Sequence, residues 1–189
     1  MKLFIDTTQN YCNLALINNK NQIVDKYQEL TNNNMTDLVV EKIDYILKKN
    51  KVNKSAITAI YLLIGPGSFT GCRVGYIIAV TWANIKHIKL YVMNSLLFQT
   101  NKGAGISIID AKSNKKFIAI YDKYQAIIKP EIIFCNQAEE LCKKHKKLNI
   151  YSDYKNIDFF ERLQQHLLKF KIVKNLDKLE PLYLKKPVE

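Results

Sequence analysis

The residues of this chain whose types and spacing could do chemistry are concentrated in Gly65-Pro66-Gly67-Ser68-Phe69-Thr70-Gly71-Cys72-Arg73-Val74-Gly75, which holds four of its six glycines. Such clustering marks a place where the backbone takes positive φ or passes close to another group. The run before it, Ile57 to Ile64, is rich in β-branched and aromatic residues and reads as a buried strand; the run after it, Val74 to Ile85, is uncharged and reads as a helix. Strand, glycine turn and helix N-terminus together make an anion-binding arrangement, because unpaired N–H groups and the helix dipole point at the turn. Spacing excludes two familiar phosphate loops. A Walker A loop needs Lys directly after its second glycine, where Cys72 follows Gly71, and it sets its glycines one residue closer than Gly65 and Gly71. The dinucleotide fingerprint needs Gly or Ala where Thr70 stands. The plainer alternative is a tight turn that packs strand on helix.

The elements that must position this turn follow from patterning. Lys2 to Ile5 reads as a strand ending in the polar turn Asp6-Thr7-Thr8-Gln9-Asn10, and Asn13 to Ile17 and Gln22 to Leu30 complete a three-stranded meander. A helix is predicted over 35–49, with Met35, Leu38, Val39, Val40, Ile43, Ile46 and Leu47 forming a stripe broader than contact with one sheet requires. The helix after the glycine turn is apolar on every side, so part of it should meet another helix, either that at 35–49 or one on another chain. Lys89 to Met93 is a strand, and Ser95 is a candidate cap for a short helix.

At Gly105 the pattern repeats. An offset of 104 aligns Ile5 with Ile109, Asp6 with Asp110, Asn10 with Asn114 and Leu14-Ala15-Leu16 with Ile118-Ala119-Ile120 without a gap, which reads as a duplicated supersecondary unit. Strands around 117–121 and 125–134, a helix capped by Asn136, a strand at 148–151, an amphipathic helix at 156–170 and a weak strand at 171–173 complete the second half.

Composition bounds the partners. At 189 residues, 48% hydrophobic and 24% charged, the chain suits one full domain or two small lobes. The uncharged run 74–85 is far below the ~20 residues that span a bilayer, and the start of the chain lacks a signal-peptide pattern, so a cytoplasmic protein with no membrane role is expected. Cys12, Cys72, Cys135 and Cys142 form no C-x-x-C pair and read as free thiols; Cys135, Cys142 and His145 lack a fourth ligand at metal-binding spacing. The net charge of +12 invites a nucleic-acid reading, but all basic residues except Arg73 and Arg162 are Lys, as AT-rich coding also produces. The runs 112–116 and 143–147 lack interleaved aromatics for base stacking.

Taken together, the residues resemble the bacterial TsaB (YeaZ) family of tRNA threonylcarbamoyladenosine synthesis, whose signature GPGSFTGxRxG matches 65–75. Asp6-Thr7-Thr8 is similar to that family's DTS, Asn94-Ser95-Leu96 to its SSL, Asp110-Ala111-Lys112 to its DAR and Pro181-Leu182-Tyr183-Leu184-Lys185 to its PxYLR tail. The resemblance implies an α/β fold of the actin-like ATPase (ASKHA) class, with two ribonuclease-H-like lobes over 1–102 and a shortened 103–189, and mixed sheets with flanking helices. It implies a non-catalytic subunit that pairs with TsaD, the metal-containing transferase, is joined by TsaE, serves tRNA as the complex's substrate, and forms homodimers when isolated. In active relatives glycines follow the Asp of each lobe's first strand and admit nucleotide phosphates; Thr7-Thr8 and Ala111-Lys112 stand there here. No intrinsic cofactor or metal is therefore expected, with ATP or ADP held only at a complex interface. Gly65, Pro66, Gly67, Phe69 and Gly71 are expected to shape the turn, Ser68 and Thr70 to cap the helix, and Arg73 to face a partner or shared nucleotide. Val39, Ile43, Tyr76, Ile77, Val80 and Trp82 are the expected partner interface. Met35 stands before Thr36 where the family usually has His. Rival readings are an autonomous ATPase or small-molecule kinase of the same fold, a protease, for which no Ser/His/acid spacing exists, and an independent tRNA-binding module.

Overall fold

A computed structural model describes residues 1–31 and 34–184. The first apolar runs build an antiparallel meander of β1 (Lys2–Asp6), β2 (Tyr11–Ile17) and β3 (Ile23–Leu30), as the turn chemistry predicts. β1 from Leu3 and β2 from Cys12 are buried without alternation, the mark of strands covered on both faces, whereas the edge strand β3 alternates over most of its length. Helix α1 (Met35–Lys49) returns the chain so that β4 (Ala59–Leu63) enters parallel to β1, with Leu3 opposite Ile60. Helix α2 (Phe69–Lys86) leads to β5 (Lys89–Met93), parallel to β4.

Both helices lie on one face of this sheet. Val39, Ile43, Ile46 and Leu47 of α1 and Ala79 and Ala83 of α2 pack with Leu3, Ile5, Leu14, Leu16, Ile60 and Leu62. Each fully buried side chain of this size contributes about 1.5–3 kcal/mol. The broad apolar stripe of α1 is consumed by the sheet and α2. Val39 (0% exposed) and Ile43 (4%) therefore do not face a partner, contrary to expectation.

The opposite face is covered from further along the chain. Phe4, Tyr61 and Leu63 pack with Phe98 of α3 (Ser95–Gln99), with Phe159, Phe160 and Leu163 of α5 (Phe159–His166), and with Leu167 and Phe170 just beyond it. β10 (Lys171–Ile172) then adds antiparallel to β5, giving the order β10-β5-β4-β1-β2-β3. Residues 159–172 were expected within a second lobe of 103–189, yet their apolar side chains complete the first sheet's core.

The second sheet is β8-β7-β6-β9, from β6 (Gly105–Asp110), β7 (Lys115–Asp122), β8 (Gln125–Phe134) and β9 (Ile150–Ser152), with α4 (Cys135–Lys144) packed on β7 and β8. Its meander plus one parallel strand beside β6 reproduces β3-β2-β1-β4, so the repeat at offset 104 is structural. The pairing is not identical. Asp6 lies opposite Asn13, whereas Asp110 lies opposite Lys116, one residue earlier than the gapless alignment places it. The tighter turn is made by Lys112, Ser113 and Asn114, all at positive φ.

Candidate functional site

The glycines of 65–75 pack backbone against backbone. A Cβ on Gly67 would lie 2.0 Å from the Thr8 carbonyl oxygen, and one on Gly71 would lie 1.9 Å from that of Thr7. No side chain fits there. The start of α2 is consequently pressed onto the turn between β1 and β2, where Ser68 N–H donates to Thr8 O (2.7 Å) and Thr7 Oγ1 donates to Gly71 O (2.6 Å). Gly65 takes φ +97°, the left-handed region that favours glycine, and the Gly65–Pro66 bond is cis. Around it Ser95 N–H donates to Gly65 O and Leu182 N–H to Ile64 O, both at 2.7 Å, which ties α3 and the C-terminal segment to the same turn.

The helix starts at Phe69, earlier than the run from Val74 predicts, because glycine is tolerated inside it where close packing excludes any other residue. Ser68 caps it by accepting from Gly71 N–H at 3.3 Å; Thr70 lies exposed in the first turn and is no cap. Asn94 rather than Ser95 caps α3, accepting from Leu97 N–H at 2.7 Å, and Phe134 rather than Asn136 is the residue before α4.

Asp6 is closed off. Its carboxylate is fully buried and accepts from Thr8 N–H (2.8 Å), Thr8 Oγ1 (2.7 Å) and Asn13 Nδ2 (3.0 Å). Burial raises its pKa against the pull of these three bonds. Ser95 Oγ and Thr8 Oγ1 are 3.1 Å apart, and Gln28 Nε2 donates to Asn13 Oδ1, extending the network. Asp110 is open by contrast. Lys116 (3.1 Å) and Lys112 (3.4 Å) pair with it, and the hydrogen bond from Lys116 leads the lowering of its pKa. Burial pushes the Cys12 and Cys72 thiols up to about 12, so neither is a ready nucleophile. Cys135, Cys142 and His145 do not form a ligand group; among the described residues no three His, Cys, Asp or Glu side chains do.

Between the two sheets lies a cleft of about 1570 Å³, bordered by Gln9, Asn13 and Gly67 from the first and by Asp110, Lys112 and Asp153 from the second. At the first strand Asp6 offers a metal no exposed oxygen, because its carboxylate is fully buried and hydrogen-bonded at both oxygens.

Of the other predicted residues, Arg73 is exposed with its guanidinium carbon 4.2 Å from the centroid of Phe69, which in turn contacts Tyr183. Pro66 is buried. Tyr76 is half-buried and donates to Leu179 O at 2.7 Å, while Val80 and Trp82 pack partly against the core. Ile77 is 58% exposed. With Arg73, Thr81 and Ile85 it forms an outward stripe at four-residue spacing. Sequence reasoning missed Asn13, Gln28 and Asp153; only Ser95 carried a signal, through its place in 94–96.

The family model described as TsaD, tRNA N6-adenosine threonylcarbamoyltransferase, matches residues 18–173. Thirty-six per cent of 77 residues are identical to the tRNA threonylcarbamoyladenosine biosynthesis protein TsaB of Buchnera aphidicola, over 41% of this chain and 34% of that protein. The chain belongs to the TsaB (YeaZ) family. Along its full length it is similar to the uncharacterized MG208 homolog of Mycoplasma pneumoniae, 37% identical over 99% of this chain and 96% of that protein. Two solved structures share the fold of this TsaB-family chain. YeaZ from Pseudomonas aeruginosa has a TM-score of 0.58 at 19% identity, over 71% of this chain and 67% of that one. An uncharacterized protein described as similar to the peptidase YeaZ from Pseudomonas aeruginosa has a TM-score of 0.72 at 16% identity, over 98% and 100%. The mixed sheets and flanking helices are those of the actin-like fold that these structures share. Among the described residues no helix is long and apolar enough to cross a membrane.

Proposed function

We propose that this chain is a non-catalytic cytoplasmic subunit that binds TsaD and activates its transfer of a threonylcarbamoyl group to the adenosine beside the tRNA anticodon. The observation that carries the reading is the closed Asp6 turn: its carboxylate is fully buried and hydrogen-bonded by Thr8 and Asn13, and Gly67 and Gly71 pack directly on the carbonyls of Thr8 and Thr7. The autonomous ATPase and kinase readings call for an accessible carboxylate there. The tRNA threonylcarbamoyl chemistry named by the family match supports the substrate, and the outward stripe of α2 supports a helical docking face. In this reading TsaD contacts the stripe around Ile77, with Tyr76, Val80 and Trp82 supporting it from behind. TsaE joins the pair, and ATP or ADP binds at a shared interface near Arg73, Phe69 and Thr70. A homodimer in isolation uses the same face.

The test is reconstitution. The chain is purified with the TsaD of the same cell, and threonylcarbamoyl transfer to tRNA is measured with and without it. Co-purification and transfer that depends on the chain support the proposal. ATP turnover by the chain alone, at a rate unaffected by TsaD, would overturn it.

A further inference from the structure

The first sheet has two ends, and their charges differ. At the cleft end the nearby lysines are partly matched, since Asp110 holds both Lys112 and Lys116. The far end gathers six lysines from four separate stretches of chain. Lys20 lies in the turn between β2 and β3, Lys48 in the last turn of α1 and Lys51 just past it. Lys86 is in the last turn of α2, Lys89 opens β5 and Lys174 follows β10.

Register brings these positions to one end. Lys2 pairs with Ala59 and Ala59 with Lys89, while Ile17, just before the turn bearing Lys20, lies opposite Lys2. Val173 N–H donates to Leu90 O, which carries Lys174 alongside the start of β5. The helices end there too, because Ile88 N–H bonds Ala83 O just before β5, and the terminal ammonium of Met1 bonds Ala56 O just before β4. All six lysines are exposed, and none has an ion-pair partner among the described residues. Asp25 and Asp44 already hold Lys49 (2.9 Å) and Lys54 (2.6 Å), while Asp177 lies three residues beyond Lys174.

Local stability accounts for only part of this. A lysine in a helix's last turn offsets the dipole, which explains Lys48 and Lys86. Lys20, Lys89 and Lys174 lie outside the helices and offset no such dipole. The run 143–147 is also basic, but it comes from one segment at the end of α4, one turn beyond Glu139 and Glu140. Convergence from four separate stretches has no such local cause.

We propose that this end of the first sheet, remote from the cleft, binds the phosphodiester backbone of a folded RNA. Backbone contact needs cations rather than stacking aromatics, so the shortage of aromatics among the lysines opposes base readout and not this mode. Choosing RNA over an anionic membrane rests on the proposed role in tRNA modification.

The experiment measures binding of bulk tRNA to the full chain by fluorescence anisotropy from about 50 to 200 mM KCl. It compares wild type with the quadruple variant Lys20→Gln/Lys51→Gln/Lys89→Gln/Lys174→Gln. A second quadruple, Lys143→Gln/Lys144→Gln/Lys146→Gln/Lys147→Gln, removes the same charge elsewhere. Four lost phosphate contacts should reduce the slope of log K against log salt by about 3, at roughly 0.7–0.9 per contact, with at least a tenfold loss of affinity at the low-salt end. The second quadruple should change the slope by less than about 1. Equal losses in the two variants, or an unaltered first variant, overturn the proposal. So does a first variant that keeps tRNA but loses phosphatidylserine vesicles bound by wild type. Association with TsaD is followed on the same samples. A variant that still binds TsaD but not tRNA supports the patch, and site-dependent tRNA binding by a wild type that never associates with TsaD sinks the subunit reading while leaving the patch standing.

Discussion

Replacing Gly71 with Ala separates a packing turn from a phosphate loop. The new Cβ would stand 1.9 Å from the Thr7 carbonyl oxygen, where real contacts need at least about 3.0 Å, so α2 and the β1–β2 turn must part by about 1.1 Å. That separation breaks or weakens the bonds from Thr7 Oγ1 to Gly71 O and from Ser68 N–H to Thr8 O. Two such bonds contribute about 0.5–1.5 kcal/mol each, and forced overpacking costs about 1–3 kcal/mol more. The better helix propensity of Ala returns roughly 0.5–1 kcal/mol. The expected net loss is about 2–4 kcal/mol, a large share of the ~5–15 kcal/mol typical of a folded protein, and a fall in Tm of roughly 5–15 °C. Urea denaturation and thermal melting of Gly71→Ala measure it, with the exposed Thr70→Ala as the control that should stay within about 0.5 kcal/mol of wild type. A phosphate loop predicts the opposite pattern, a stable variant that has lost a nucleotide. A Gly71→Ala protein as stable as the Thr70→Ala control would refute the packing argument.

Ile77→Glu should leave Tm within roughly 2 °C, because the side chain is 58% exposed, yet weaken association with TsaD at least ~10-fold in sedimentation. Glu at Val80 is a poorer probe, since that residue packs partly into the core. Asp6→Ala orphans three buried donors and should cost about 2–4 kcal/mol, but transfer by the assembled complex should persist wherever the variant is folded; complete loss of transfer by a folded Asp6→Ala chain would contradict the non-catalytic reading. His166 is buried, its Nε2 bonds Thr100 O, and burial with help from Arg162 holds its pKa below 6.5. The unfolded chain therefore takes up the proton first as pH falls, so stability should be flat above about pH 6.5 and decline below it, by at most ~1.4 kcal/mol per unit. Urea midpoints at pH 7.5 and 5.5 should differ less in His166→Gln than in wild type.

Much of the fold was legible because local pattern and tertiary use agree. The period of α1 gave Met35–Lys49 without error, and the offset repeat gave both meanders. What α1 does with its wide stripe was not legible. Periodicity says that Val39 and Ile43 are covered, not whether sheet, α2 or another chain covers them. The same ambiguity hid the return of 159–172 to the first sheet. The apolar face of α5 would suit either core, and a two-residue strand such as β10 has too little sequence to declare its neighbour. In the glycine turn, spacing could remove phosphate loops, but the group that fills the space, the carbonyls of Thr7 and Thr8, lies some sixty residues away in sequence.

The one-residue difference between the two hairpins explains why equivalent aspartates ended with different roles. In the first, the pairing sets Asn13 opposite Asp6, so a neutral donor from the next strand joins Thr8 in satisfying the carboxylate and the site shuts. In the second, the tighter turn through Lys112, Ser113 and Asn114 brings Lys116 opposite Asp110, and the carboxylate stays half-exposed and ionised in a cation pair. Under the non-catalytic reading proposed above, hydrogen bonding on the first side and the Lys116 ion pair on the second keep two open aspartates from acting together across the cleft. Such joint action would require changes in both hairpins, a turn that frees Asp6 and a β7 residue other than Lys116. A single substitution at either aspartate should therefore confer no hydrolysis, and the Asp6 turn keeps the role that its contacts already give it, that of a rigid seat for the N-terminus of α2.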